Sequence, residues 1–151
     1  MNIYPIEAGN FKLDGGAMFG VIPKSLWQRT NPSDSDNLIE MSSRCLLVEN
    51  GNKLTLIDAG MGDKQSEKFF SFYKRSGDYD LVSSIKSAGF STDDITDVLL
   101  THLHFDHCGG ASITNNFGKN EVLFKNAEYW SNQKHWDWAI TPNSREKASF
   151  L

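Results

Sequence analysis

Residues 101–110 read Thr101-His102-Leu103-His104-Phe105-Asp106-His107-Cys108-Gly109-Gly110. Three of the four histidines in the chain fall within six residues, with an aspartate among them. At this composition a His-x-His-x-Asp-His string arises by chance on the order of once in several thousand such sequences. Just upstream, residues 95–101 contain the continuous run Val98-Leu99-Leu100, which predicts a strand buried on both faces. Side chains at i, i+2 and i+4 of a chain leaving a strand point the same way, so His102, His104 and Asp106 are expected to converge. The Gly109-Gly110 pair allows a sharp turn that would bring His107 to the same cavity. Imidazole and carboxylate suit zinc, and also manganese, iron or cobalt. Four such donors can divide between two adjacent cations, His102 and His104 on one, Asp106 and His107 on the other. One isolated histidine would be read as a hydrogen-bonded core or loop residue; four ligand-type groups behind a buried strand favour metal.

Working outward, Asn50-Gly51-Asn52 separates two β-prone runs, residues 42–49 and 53–58, and predicts a hairpin. Residues 29–37 are packed with turn formers and read as a surface loop. Residues 17–23 form a short apolar run opened by Gly15-Gly16, suited to a strand or a buried loop edge. Helical spacing begins near Lys64 and places Phe69, Phe70, Phe72 and Tyr73 on one apolar face. Residues 80–88 predict a helix capped by Asp80 and ended by Gly89. Residues 121–124 read as a strand. Asn126 offers an N-cap for a helix carrying Tyr129, Trp130, Trp136 and Ile140 until Pro142 stops it, and Asn143 a cap for a last helix. Strands first, then helices mixed with strands, give an α+β chain, with residues 1–151 read as a single domain.

The chain has 151 residues, 39% apolar, with 15 Lys and Arg against 19 Asp and Glu and a formal net charge of −4. That composition is globular rather than disordered. The acidic balance argues against nucleic acid or an anionic membrane as partner. Two cysteines, Cys45 and Cys108, cannot form a disulfide scaffold. The N-terminal residues lack the basic and apolar regions of a secretory signal, and no apolar run reaches the ~20 residues of a membrane span. A cytoplasmic location is the resulting expectation.

The histidine string resembles the signature of the metallo-β-lactamase-fold hydrolases. Leu13-Asp14-Gly15-Gly16-Ala17-Met18-Phe19-Gly20-Val21-Ile22-Pro23-Lys24, Leu56-Ile57-Asp58-Ala59-Gly60, Thr141-Pro142-Asn143-Ser144-Arg145 and Lys147-Ala148-Ser149-Phe150 resemble the quorum-quenching N-acyl-homoserine lactonase branch and related esterase and organophosphate-hydrolase members. The resemblance implies an αββα sandwich with a two-zinc site at one edge. It implies that His102 and His104 bind the first ion, and Asp106 and His107 the second, with Asp106 counted as catalytic. It implies Asp58 as the acid that orients the site, and hydrolysis of a small-molecule lactone or similar ester through a metal-bound hydroxide. Met18, Phe19 and Ile22 become candidates for an acyl pocket, with core packing as the equal alternative.

The family also uses a third histidine, a bridging aspartate and a last histidine further along. The one remaining histidine, His135, lies in a predicted helix with Trp136, Asp137 and Trp138 and reads as a packing or surface residue. Cys108 reads as a small space-filling residue. The apolar end Phe150-Leu151 suggests the N-terminal part of a longer enzyme, with weak metal binding, little turnover alone, and exposed apolar surface favouring homo-oligomers. The alternatives are phosphotriester or thioester hydrolysis on the same fold, or an inactive remnant with an incomplete site.

Overall fold

In the computed structural model, which describes residues 1–78 and 80–151, the chain opens with β1 (Asn2–Asp14). Two short helices follow, α1 (Gly15–Phe19) and α2 (Lys24–Trp27), and then the hairpin strands β2 (Leu38–Asn50) and β3 (Lys53–Ile57). Helices α3 (Glu67–Tyr73) and α4 (Leu81–Ser87) carry the chain across to β4 (Asp97–Leu99). Next come α5 (Phe105–Cys108), the paired strands β5 (Ser112–Thr114) and β6 (Asn120–Val122), β7 (Glu128–Trp130) and α6 (Gln133–Ile140). The main sheet has the order β1-β2-β3-β4-β7, antiparallel through β3 and parallel from β3 to β7. Parallel pairing requires a crossover, and the helices supply it.

One face of this sheet packs on α4. The register row Tyr4–Leu47–Leu56–Val98–Tyr129 crosses all five strands. Leu47, Leu56 and Val98 are fully buried with Ile85 of α4. The adjacent row, Pro5–Leu46–Ile57–Leu99–Trp130, lies on the opposite face, where Leu99 and Trp130 are exposed. A second apolar cluster, Phe11, Met61, Phe70 and Phe105, lies under the histidine string, with Phe69 and Tyr73 against Phe105 at ring distances of 5.1 and 4.9 Å.

The Asn50-Gly51 hairpin forms as expected, with Gly51 at φ 62°. Asp80 caps α4, its carboxylate accepting the Ser83 N–H at 2.9 Å. Several expectations need correction. Residues 17–23 hold no strand: Asp14 accepts the Ala17 N–H at 2.7 Å and starts α1 instead. Asn126 caps no helix, because residues 128–130 pair with β4, and α6 is capped by Asn132, which accepts the His135 N–H at 2.9 Å. The strand after residue 95 is shorter than expected and exposed at Leu99. Phe72 points to solvent, away from Phe70. Asn143 starts no α-helix: its Oδ1 accepts the Arg145 and Glu146 N–H groups and caps a turn, and the 3-10 segment Lys147–Ser149 follows with Glu146 at its N-cap position. Among the described residues no helix is long and apolar enough to cross a membrane.

Candidate metal centre

The parallel strands β3 and β4 both end at the same edge of the sheet, and ligand sites favour the region beyond such strand ends. Asp58 follows β3, and residues 100–104 follow β4. Asp58 N–H bonds to Leu99 O at 3.0 Å, and Asp58 itself adopts a left-handed backbone, φ 59°. This turn aims its carboxylate across to the neighbouring segment. There it accepts the Thr101 N–H at 2.9 Å, the Thr101 hydroxyl, and His107 Nδ1 at 2.8 Å.

These bonds fix the proton positions on two imidazoles. An ionised carboxylate only accepts, so His107 Nδ1 donates to Asp58. The Thr101 hydroxyl spends its proton on Asp58, so its oxygen receives Nδ1–H of His102, 3.1 Å away. When neutral, both rings therefore carry their lone pair on Nε2, the atom free for a cation. Burial works against the charge of Asp58, but the bonds from His107 and Thr101 outweigh it and hold the carboxyl below the usual range. The same bond to Asp58 raises His107, against burial and with help from the charge of Asp106. Burial lowers His102, and the neighbouring His107 and His104 add to that.

The ring of His102 lies 3.8 Å from that of His107 and 4.7 Å from that of His104. Asp106 Oδ2 stands 3.5 Å from His107 Nε2. His104 Nε2 is buried without a hydrogen-bond partner and faces Glu146 Oε2 at 3.7 Å. With zinc–ligand bonds of about 2.0–2.1 Å, two donors on one tetrahedral ion stand about 3.3 Å apart. Both pairs are too long for hydrogen bonds and close to that spacing. Donor chemistry, the two free Nε2 atoms and the orphaned nitrogen of His104 all suit divalent cations. The donors gather in pairs: among the described residues, no three of them meet around a single point.

The route to this gathering differs from simple strand alternation. The extended chain stops at Leu99, and Asp106 and His107 reach the cluster because α5 turns them inward, with His104 at its N-cap position. The glycine pair serves close approach rather than turning alone. Ala59 N–H bonds to His107 O at 2.8 Å and Gly110 N–H to Gly60 O at 3.0 Å, pulling two backbones together. A Cβ on Gly109 or Gly110 would strike the carbonyl oxygen of Met61 or Ala59. The ammonium of Lys64 closes the turn, donating to Gly109 O and to Ser112 O at 2.8 Å.

Residues 38–144 match the family model described as the metallo-beta-lactamase superfamily. The chain belongs to that superfamily. Its α+β architecture is the metallo-beta-lactamase fold, as the histidine string led one to expect. Among solved structures, a probable metal-dependent hydrolase from Staphylococcus aureus superposes with a TM-score of 0.89 at 34% identity, over 99% of this chain and 53% of that one. AidC, a dizinc quorum-quenching lactonase solved with a product, gives 0.63 at 26% identity, over 95% and 46%. An N-acyl homoserine lactonase from Bacillus cereus is 27% identical over 124 residues, 74% of this chain and 48% of the relative. The chain thus spans about half the length of the curated relatives it matches.

Within this superfamily frame, His102, His104, Asp106, His107 and Asp58 lie together. Met18 and Ile22 are exposed on and beyond α1, and Phe19 stacks on Trp27 at 5.1 Å; none of the three lines the cavity of about 350 Å³ between β1 and α4. His135 is closer to the site than its helix suggests. Its Nε2 accepts the Leu103 N–H at 2.7 Å, and its ring lies 5.8 Å from that of His102. Sequence reasoning gave no role to Thr101, Lys64 or Glu146. The only signal for Thr101 was its place directly before the string.

Proposed function

We propose that this chain carries the metal-gripping part of a divalent-metal hydrolase that opens a lactone or similar carboxylic ester. The observation that carries the reading is the gathering of three imidazoles and Asp106 at one sheet edge, with Asp58 and Thr101 fixing two Nε2 lone pairs toward it. His102 and His104 would hold one zinc ion, and Asp106 and His107 the other. Bound there, the ions would polarise the ester carbonyl and make hydroxide available near neutral pH.

The residues around the donors have distinct tasks. Asp58 keeps the His107 proton on Nδ1 and stabilises the ring's orientation. His135 pins the loop between His102 and His104 through the Leu103 N–H. The apolar floor of Phe105, Phe69 and Tyr73 excludes water from below the cluster. The lactone preference is supported by the relatives named as lactonases, at 26–27% identity. The test is a zinc-loaded substrate panel: N-hexanoyl-homoserine lactone, an aryl ester, a phosphotriester and a glutathione thioester. Lactone opening that, though slow in this chain by itself, exceeds the other reactions and disappears in His102→Ala is expected. Phosphotriester or thioester turnover with the lactone untouched would contradict the assignment.

A further inference from the structure

The cavity of about 350 Å³ between β1 and α4 is separate from the metal centre: none of His102, His104, Asp106, His107 and Asp58 lines it. Its origin is a bulge. The register of β1 on β2 slips between Glu7 and Asn10, so Ala8 and Gly9 together oppose Ser43 and the strand bends. The walls are apolar, with Phe11, Met61 and Leu81 buried and Ile113 and Leu123 completing them. Ser43 is the exception inside. It is 8% exposed, lies on the face of β2 that carries Cys45 and Leu47, and among the described residues its hydroxyl has no hydrogen-bond partner. A buried hydroxyl ordinarily has one.

The entrance carries charge of both signs. Arg75 lies over the Phe70 ring at 3.3 Å and donates one N–H to Gly62 O at 2.9 Å, leaving its other N–H groups free among the described residues. Asp63 follows Gly62 directly, so a carboxylate stands near the guanidinium. Among the described residues neither of the two forms an ion pair. The other acid at the entrance, Asp80, is engaged with the Ser83 N–H at 2.9 Å. A cation and an anion without partners, an apolar interior and one hydroxyl within it suit a small ligand with a zwitterionic head and an apolar body tipped by a polar atom.

We propose that this cavity binds a zwitterionic α-amino acid whose apolar side chain ends in a hydroxyl, of the size and polarity of tyrosine. Arg75 takes the carboxylate, Asp63 the ammonium and Ser43 the side-chain hydroxyl. The site is independent of the metal centre and of the hydrolase reading.

Calorimetric titration of the chain with L-tyrosine and three truncated relatives tests each contact. Tyramine lacks the carboxylate, phloretate lacks the ammonium and L-phenylalanine lacks the hydroxyl. L-Tyrosine is expected to bind once per chain, and each truncated compound on the order of tenfold more weakly. Three variants, checked by far-UV circular dichroism, pair with these losses. Arg75→Gln should bind tyrosine no better than tyramine, Asp63→Asn no better than phloretate, and Ser43→Ala no better than phenylalanine. Arg75 and Asp63 are exposed, so their variants should keep the fold and the wild-type zinc uptake. Should Ser43→Ala fail to fold, the ligand series on the wild-type chain decides by itself. No saturable binding of L-tyrosine, or any truncated compound binding as tightly as tyrosine, would overturn the proposal.

Discussion

Beyond the end of β3, the Asp58 carboxylate touches His107 and Thr101, which follow it by more than 40 residues, and through Thr101 it reaches His102. Asp58→Asn suits a left-handed backbone, removes the charge and turns one of the two accepting oxygens into an NH2 donor that faces another donor. Zinc affinity, measured by competition with a chromophoric chelator, should fall about tenfold to a hundredfold. The pair also sets a pH signature in the metal-free chain. His107 is raised, so its contribution to stability is present below the unfolded histidine pKa and lost as pH rises through the folded one. Asp58 is lowered, so its contribution is present above the unfolded aspartate pKa and lost as pH falls through the folded one. The Tm difference between the wild-type chain and Asp58→Asn should be largest between about pH 4 and 6.5 and shrink on both flanks. Parallel profiles for the two proteins would contradict the coupling. At this scale the four donors could be read from the sequence because they are neighbours in it. Thr101, His135 and Glu146 could not, since their partners are defined only by tertiary contact.

The elements show where local pattern suffices and where it fails. Asn-Gly between two β-prone runs specified β2 and β3 because the turn and its strands are contiguous. Residues 126–140 were misread as one helix because Tyr129 and Trp130 fit a helical stripe as well as a strand. Pairing with β4, a partner some thirty residues away, decides for β7. This yields a discriminating pair of substitutions in thermal unfolding. Asn132→Ala should cost about 1 kcal/mol by removing the α6 cap, whereas Asn126→Ala removes only an exposed bond to Asp93 O and should cost less. The glycine pair makes a second case. Gly110→Ala should destabilise by about 1–3 kcal/mol, because its Cβ meets the Ala59 carbonyl where two backbones touch, and zinc affinity should fall with it. By contrast, Gly51→Ala has open space around it and is strained only by its positive φ.

Across the whole molecule, the sheet buries one side far better than the other. Cys45, Leu46, Leu47 and Val48 are apolar at every position, a pattern suited to cover on both faces, while α4 covers the face of Cys45 and Leu47. Sequence pattern conveys that a strand is apolar on both sides, not what lies over each side. The fold class was legible because a dense ligand string after a buried strand is rare. The central claim is that His102 with His104, and Asp106 with His107, grip two cations. Equilibrium dialysis against radioactive zinc tests it most directly, comparing the wild-type chain with His102→Ala/His104→Ala and Asp106→Ala/His107→Ala. Two zinc ions per chain, falling to one in either double variant, is the predicted result. No specific zinc in the wild-type chain, or the same uptake in all three proteins, would contradict it.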